Sequence, residues 1–186
     1  MHNVYNALAS IAIAKSLNVT SEDIEKSLMN MKKTARRMEK FVTYANMIIY
    51  DDSYNASYES IKAAMDLIKN KKYYGRKVAI LGDILELGDF AEYYHKKVGE
   101  EFLKNDFDVL ITVGENSKFI ESYVKANKGK KDVLTYHFET VEEVNEDISK
   151  ILKKDDIVLI KASNGMHFNK IADFLRNYEV DPCHLK

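Results

Sequence analysis

The segment Lys77–Val78–Ala79–Ile80–Leu81–Gly82–Asp83 sets four apolar residues in a row between a lysine and a Gly-Asp pair. Further apolar runs of this kind occur at 109–113 and 157–160. Short, uninterrupted apolar runs are typical of strands that are covered on both faces, as in a parallel sheet between two layers of helices. These runs therefore predict a parallel sheet at the centre of the fold.

Segments with apolar residues at helical spacing separate these strands. We predict strands at 47–51, 77–82, 108–113, 132–136 and 156–161, and helices at 57–70, 90–105, 116–127, 140–153 and 166–178. Strand and helix alternate, which is the pattern of an α/β domain. The predicted fold is a doubly wound, mostly parallel, Rossmann-like sheet with flanking helices.

A short helical segment precedes this domain. Apolar residues at helical spacing predict one helix over 3–17, and Thr20 is a suitable N-cap for a second. Segments 40–44 and 47–50, on either side of Ala45–Asn46, then predict a hairpin. The change of pattern gives a helical segment at 1–34, an α/β domain at 35–178 and a tail at 179–186.

Composition narrows the class of protein. The 28 basic and 29 acidic residues leave a net charge of −1, which argues against a nucleic-acid-binding protein. The only cysteine is Cys183, so an internal disulfide is excluded and the cytoplasm is the expected compartment. The first 17 residues are interrupted by Ser10 and Lys15 and carry no basic lead, so we predict neither a signal peptide nor a membrane span.

Polar loops follow four of the predicted strands. They are 51–55, 82–88, 114–116 and 161–165. Because open α/β sheets bind ligands at the carboxyl ends of their strands, where helix amino termini favour anions, these loops indicate a site for a polar, phosphate-bearing ligand. The alternative is that Asp52 and Ser57 cap a helix and that Gly82, Gly114 and Gly165 supply turns. Since asparagine caps as well as aspartate, we expect Asp52→Asn to leave the melting of this chain nearly unchanged.

Two further candidates for chemistry have simpler explanations. His95 lies inside a predicted helix without a paired nucleophile, which favours a packing or hydrogen-bonding role. Asp83 and Glu86 are too few to form a metal site of the usual kind. We therefore predict no catalytic residue and no metal ligand within this chain.

Five segments resemble motifs of the Mur ligase family, in the order in which the family has them. They are His2–Asn3–Val4–Tyr5–Asn6–Ala7–Leu8–Ala9, Arg37–Met38–Glu39, Asp51–Asp52–Ser53–Tyr54–Asn55–Ala56, Leu81–Gly82–Asp83–Ile84–Leu85–Glu86–Leu87–Gly88 with His95 and Val98–Gly99, and Val158–Leu159–Ile160–Lys161–Ala162–Ser163. The first resembles a segment near the end of the family's central domain, and the second the opening of its third domain. The third is most similar to the branch that adds a D-alanyl-D-alanine dipeptide.

The resemblance implies an activity for the complete ligase. Such enzymes use ATP and Mg²⁺ to phosphorylate a carboxylate of the precursor UDP-MurNAc-tripeptide, and the amine of D-Ala-D-Ala then displaces the phosphate in peptidoglycan synthesis. The sequence contains no G-x-x-x-x-G-K-[ST] loop, which normally holds the phosphates. We therefore expect a carboxy-terminal fragment, inactive alone, in which 1–34 is the helical end of the central domain and the remaining amino-terminal and central domains are missing.

By the same resemblance, four residues belong to the ATP side of the site. Asn3 and Asn6 face the adenine, Arg37 contacts ribose or phosphate, and Asp52 accepts hydrogen bonds from the ribose hydroxyls. The alternative for Asn3 and Asn6 is that they cap or solvate the first helix. For Arg37 the alternative is an exposed salt bridge, which would be worth little.

Four more residues belong to the side of the incoming dipeptide. Tyr54, Asn55 and Ser163 would position the dipeptide, and Lys161 would help to hold its carboxylate. A structural ion pair is an equally weighted alternative for Lys161.

The sequence departs from the family pattern at several positions. Arg36 stands in place of a glycine, Ser57–Tyr58 in place of Asn-Pro, Ala162 in place of a glycine, and Asn164 in place of a basic residue. These changes leave open a Mur-type ligase with a different amino-acid specificity. A free-standing module that binds a nucleotide or a partner without chemistry is a third alternative.

Overall fold

A computed structural model describes residues 2–30, 35–43 and 45–177. The chain divides into two compact units at the boundary between residues 34 and 35. The predicted tail at 179–186, with Cys183, lies outside the described residues, and so does the side chain of Asn3. No helix in the described ranges is long and apolar enough to span a bilayer.

The first unit contains two helices, α1 (His2–Ser16) and α2 (Ser21–Met29). Thr20 has an extended backbone, and its hydroxyl accepts the N–H of Asp23 at 3.1 Å, which satisfies one of the free donors at the start of α2. Both predicted helices and the Thr20 cap are confirmed.

The second unit is built on one six-stranded sheet. Its strands are β1 (Glu39–Val42), β2 (Ile48–Asp51), β3 (Lys77–Gly82), β4 (Val109–Val113), β5 (Leu134–Phe138) and β6 (Ile157–Lys161). They lie in the order β1-β2-β6-β3-β4-β5, and all pairs are parallel except β1 with β2. The predicted hairpin and the predicted doubly wound, mostly parallel sheet are confirmed.

Helices cover both faces of this sheet. They are α3 (Tyr58–Lys69), α4 (Ala91–Lys104), α5 (Lys118–Asn127), α6 (Val141–Ile151) and α7 (Asn169–Asn177). Successive strand residues point to opposite faces, so Leu81 packs in the cluster with α3, α4 and α5, and Ile80 in the cluster with α6 and α7. Both faces are therefore apolar, which explains the uninterrupted apolar runs of the central strands.

Strand β5 and helix α7 begin about two and three residues later than predicted, respectively. Strand β5 begins at Leu134 rather than at 132, because its extent is set by pairing with β4, in which Val109 lies opposite Leu134 and Val113 opposite Phe138. Helix α7 begins at Asn169 rather than at 166. A short 3₁₀ turn and His167, whose left-handed φ of 54° interrupts the helical conformation, precede it.

The position of β6 decides where a site can form. This last strand lies between β2 and β3, and it is parallel to both. The carboxyl ends of the three strands therefore meet at one edge, and so do the loops that follow them.

Candidate functional site

The loops after β2, β3 and β6 enclose a cleft of about 320 Å³ at the carboxyl end of the sheet. Its lining residues are Tyr54, Asn55, Ala56, Leu85, Glu86, Ser163, Asn164 and Gly165. Of the four residues that the resemblance assigns to the dipeptide, Tyr54, Asn55 and Ser163 lie here together. Lys161 does not line the cleft.

Ser163 ties the β3 and β6 loops together. Its backbone N–H donates to the carbonyl of Asp83 at 3.1 Å, and its Oγ accepts the N–H of Leu85 at 2.9 Å. The side chain is buried at the base of the cleft. Its hydroxyl hydrogen remains available as a donor, as a role in ligand positioning requires.

Lys161 lies beneath the cleft, with 1% of its surface exposed. Its Nζ is 2.6 Å from Oδ2 of Asp52 and 2.9 Å from the carbonyl oxygen of Asn55, with the carbonyl oxygen of Asp52 at 3.4 Å. Burial lowers the pKa of the Lys161 ammonium, and the Asp52 carboxylate opposes this effect. The structure thus favours the ion-pair alternative for Lys161 over direct contact with a ligand.

Asp52 is held from two directions. While Oδ2 pairs with Lys161, Oδ1 accepts the backbone N–H of Met38 at 2.9 Å. The helix-cap alternative for Asp52 is wrong, because the cap of α3 is Ser57, whose side chain accepts the N–H of Ser60 in a capping box. For Ser57 that alternative is confirmed.

Arg37 contacts Tyr54, which lines the cleft. Its guanidinium lies 4.4 Å from the centroid of the Tyr54 ring, and the backbone N–H of Tyr54 donates to the carbonyl of Arg36 at 3.1 Å. Arg36 and Met38 have left-handed φ angles of 58° and 51°, a conformation that costs energy for residues other than glycine. The segment that leads into β1 is therefore bent against the β2 loop.

Asp83 joins the loop after β3 to the loop after β4. Its carboxylate accepts the N–H groups of Asn116 at 3.1 Å and Ser117 at 2.7 Å, just before α5. A Cβ on Gly114, whose φ is +109°, would lie 2.8 Å from Oδ1 of Asp83. The turn-forming alternative therefore holds for Gly114.

His95 is fully buried, and its hydrogen bonds are those of a neutral imidazole ring. Its Nε2 accepts the N–H of Ile84 at 3.1 Å, so the Nδ1 that faces the carbonyl of Ala91 at 2.7 Å carries the proton. Burial lowers the pKa of His95. The predicted hydrogen-bonding role is confirmed, and the bond fixes the start of the β3 loop.

Asn6 lies in the first unit, on α1. Its side chain is exposed, and its backbone carbonyl accepts the hydroxyl of Ser10 at 2.9 Å. The adenine-binding role of Asn6 stays a prediction, as does that of Asn3.

Several cleft residues carry no individual signal in the sequence. Leu85 and Gly165 are common residue types, and Glu86 suggests only a metal ligand. Within the ranges that the structure describes, no group of three or more His, Cys, Asp or Glu residues is arranged to hold a metal ion. The sequence indicated these residues only as members of the polar loops 82–88 and 161–165, which directly follow buried strands.

Comparison with known proteins assigns the family. The family model described as "Mur ligase, glutamate ligase domain" matches residues 36–164, which include all of the cleft residues except Gly165. The chain belongs to the Mur ligase family. The resemblance drawn from the five motifs is thereby confirmed.

Two of its relatives within this family are ligases of the same name. The chain is 35% identical over 171 residues to the UDP-N-acetylmuramoyl-tripeptide–D-alanyl-D-alanine ligase of Bacillus subtilis, covering 92% of this chain and 37% of that protein. It is 34% identical over 121 residues to the Escherichia coli enzyme of the same name, covering 65% of this chain and 26% of that protein. This Mur ligase chain thus spans little more than a third of the length of the first of these relatives.

Solved structures agree with the Mur ligase fold. The structure of MurF from Acinetobacter baumannii matches with a TM-score of 0.75 and 27% identity, covering 94% of this chain and 38% of that one. The structure of MurF from Thermotoga maritima, a complex with ADP, matches with a TM-score of 0.63 and 25% identity, covering 90% of this chain and 36% of that one.

Proposed function

We propose that this chain is the carboxy-terminal part of an ATP-dependent ligase that adds D-Ala-D-Ala to UDP-MurNAc-tripeptide in peptidoglycan synthesis. The observation that carries the proposal is the cleft, where the family's β2, β3 and β6 motifs meet. The 35% identity to the Bacillus subtilis ligase supports the choice of branch.

In this proposal the cleft takes the incoming dipeptide. The carboxamide of Asn55 and the hydroxyl of Ser163 offer donors and acceptors that can match a peptide amide and a carboxylate. The ring of Tyr54 and the side chain of Leu85 supply apolar walls for the methyl groups of the two alanines. Such a mixture of apolar walls and a few fixed polar groups is typical of small-molecule sites.

The ATP side of the proposal uses Arg37 and Asp52. Arg37 is exposed, so its guanidinium can leave the Tyr54 ring and bind a phosphate or ribose oxygen. Oδ1 of Asp52 accepts the N–H of Met38 and Oδ2 pairs with Lys161, and each oxygen has a second lone pair for a ribose hydroxyl. Asn3 and Asn6 would contact the adenine.

The phosphates and Mg²⁺ would be held outside this chain. We propose that 1–34 is the end of the central domain, that the rest of that domain supplies the phosphate cradle, and that 35–178 is the carboxy-terminal domain. ATP with Mg²⁺ supplies the phosphoryl group that activates the carboxylate, while residues of this chain bind and orient. The chain alone would therefore not hydrolyse ATP.

A second candidate is a Mur-type ligase with a different amino-acid specificity. Asn164 lines the cleft at the position where the family pattern has a basic residue. The missing cation would weaken binding of a ligand carboxylate, which favours an amino substrate other than D-Ala-D-Ala.

A product assay separates these candidates. The full-length ligase is incubated with ATP, Mg²⁺, UDP-MurNAc-tripeptide and, one at a time, D-Ala-D-Ala, D-alanine and single L-amino acids, and products are identified by mass spectrometry. We expect a D-Ala-D-Ala adduct, and no ATP hydrolysis above background by the 186-residue chain alone. Selective use of another amino donor would establish the second candidate, and turnover by the chain alone would refute the fragment proposal.

A further inference from the structure

The Lys161 ammonium has its hydrogen-bonding capacity fully used. An ammonium has three donors, and three oxygens surround Nζ within 3.4 Å: the carboxylate of Asp52 and the backbone carbonyls of Asp52 and Asn55. With 2% of its side chain exposed, Lys161 has neither a donor nor a surface left for a ligand.

All three acceptors belong to the β2 loop, whereas Lys161 is the last residue of β6. The ammonium therefore crosses from one strand to the loop of its neighbour and holds that loop at two points. One point is Asn55, which lines the cleft. The other is Asp52, whose second oxygen holds Met38.

A buried ion pair of this kind fixes the positions of its two groups more than it stabilises the fold. Removing two charges from water costs about as much as their attraction returns, so apolar replacements of whole pairs are often neutral. Loss of one partner, in contrast, leaves an unpaired buried charge. The specific contribution of Lys161 is thus the position of the loop that it holds.

We propose that Lys161 is a positioning residue of the cleft, which fixes Asn55 for the amine donor and Asp52 for ATP without touching a ligand itself. This inference rests on the proposed function, in which the cleft receives that donor. It replaces a direct role for Lys161 in holding the dipeptide carboxylate.

The chain offers a matched control at the opposite end of the sheet. Arg76 precedes β3 and pairs with buried Asp156, with Nη2 to Oδ2 at 2.6 Å and Nε to Oδ1 at 2.9 Å. Both pairs join a basic residue to a buried or nearly buried carboxylate, but Arg76 lies at the amino ends of the strands. Breaking either pair should destabilise the fold, and only one of them should disturb the cleft.

The first arm compares Lys161→Met and Arg76→Met in the full-length ligase. Both variants should melt at lower temperature than the parent. Kinetics are measured well below the melting temperatures of both variants. Under these conditions Lys161→Met should raise the KM for D-Ala-D-Ala tenfold or more, while Arg76→Met should leave this KM within twofold of the parental value. A Lys161→Met enzyme that melts early but keeps the parental KM would overturn the inference.

The second arm uses the 186-residue chain and needs no substrate. We expect amide hydrogen exchange at Tyr54, whose N–H donates to Arg36, to be at least tenfold faster in Lys161→Met than in Arg76→Met. Should Lys161→Met fail to fold, the double variant Lys161→Met/Asp52→Asn removes both charges and is compared instead. Exchange at Tyr54 as slow as in Arg76→Met would refute a positioning role.

The two arms also separate this inference from the proposed function. A parent ligase that does not use D-Ala-D-Ala refutes the proposed function, and the exchange arm then decides the role of Lys161 alone. An active parent with an unchanged KM in Lys161→Met refutes the inference alone.

Discussion

The guanidinium of Arg37 stacks on the ring of Tyr54 at 4.4 Å from the ring centroid. This contact joins the segment before β1 to a wall of the cleft, since Tyr54 lines the cleft and Arg37 does not. Arg37 is exposed, so the stack stabilises the fold by no more than about 1 kcal/mol. We expect the Arg37 guanidinium to contribute mainly to ligand binding.

The first prediction concerns Arg37→Met. The 186-residue chain should melt within about 4 °C of the parent, because an exposed stack contributes no more than about 1 kcal/mol. In the full-length ligase the KM for ATP should rise roughly tenfold, which corresponds to about 1.4 kcal/mol. Steady-state kinetics with ATP varied measures this value. An unchanged KM for ATP would assign Arg37 to the fold or to the dipeptide alone.

The second prediction reverses the expectation that the sequence suggests for Asp52→Asn. The neutral amide would leave the buried Lys161 ammonium without its counter-charge, so the free energy of unfolding of this chain should fall by about 3 kcal/mol. Ser57→Ala, which removes the actual helix cap, should cost only about 1 kcal/mol. Urea denaturation of both variants tests the order, and an Asp52→Asn chain as stable as the parent would contradict the ion pair.

The third prediction is a pH dependence from His95. Burial lowers its pKa in the folded state, so below about pH 6.5 the unfolded chain binds a proton that the folded chain does not. The contribution of His95 to stability is therefore complete above that pH and is lost as the pH falls towards the folded pKa. Asp83 lies near and partly offsets the shift.

Comparing the parent with a His95 variant separates the effect of His95 from the effects of the other histidines. The free energy of unfolding is measured from pH 7.5 to pH 5 for the parent and for His95→Gln. The parent should lose more stability than the variant as the pH falls. Parallel curves would show that His95 does not carry the dependence.

The fourth prediction compares two glycines at the site. A Cβ on Gly82 would lie 2.5 Å from the buried ring of Phe168 and 2.7 Å from Cβ of Ala162, so Gly82→Ala should destabilise the chain by about 1–3 kcal/mol. On Gly165 the Cβ would meet only the end of the Leu85 side chain at 2.9 Å, which can turn away. Gly165→Ala should cost less than half as much. Equal losses in thermal melting would contradict the packing at Gly82.

The fifth prediction concerns the two units. Residues 35–177 contain both apolar clusters of the sheet, and α2 has no buried residue. Deletion of residues 1–33 should therefore leave a cooperative transition, with a melting temperature within about 4 °C of the parent. A calorimetric scan of the shortened chain tests this, and loss of the cooperative transition would show that the first unit is integral to the core.

Some site residues could be predicted from the sequence and others could not. Tyr54, Asn55 and Ser163 belong to motifs that follow apolar strands, and parallel strands place such loops at one edge. The partner of Lys161 could not be derived in this way, because Asp52 is 109 residues away along the chain. The same limit applies to His95, whose bond to Ile84 fixes a loop that the spacing alone does not join to it.

The sequence by itself determined the class of the fold, because buried strands, amphipathic helices and the Thr20 cap depend on contacts or patterns that are local to each segment. It also determined the family through five short motifs. Only the tertiary structure decided that β6 lies between β2 and β3, that β5 begins at Leu134, and that the charge of Lys161 is matched by Asp52. These features depend on which strands pair and which side chains meet in a buried space, and residues far apart along the chain settle both.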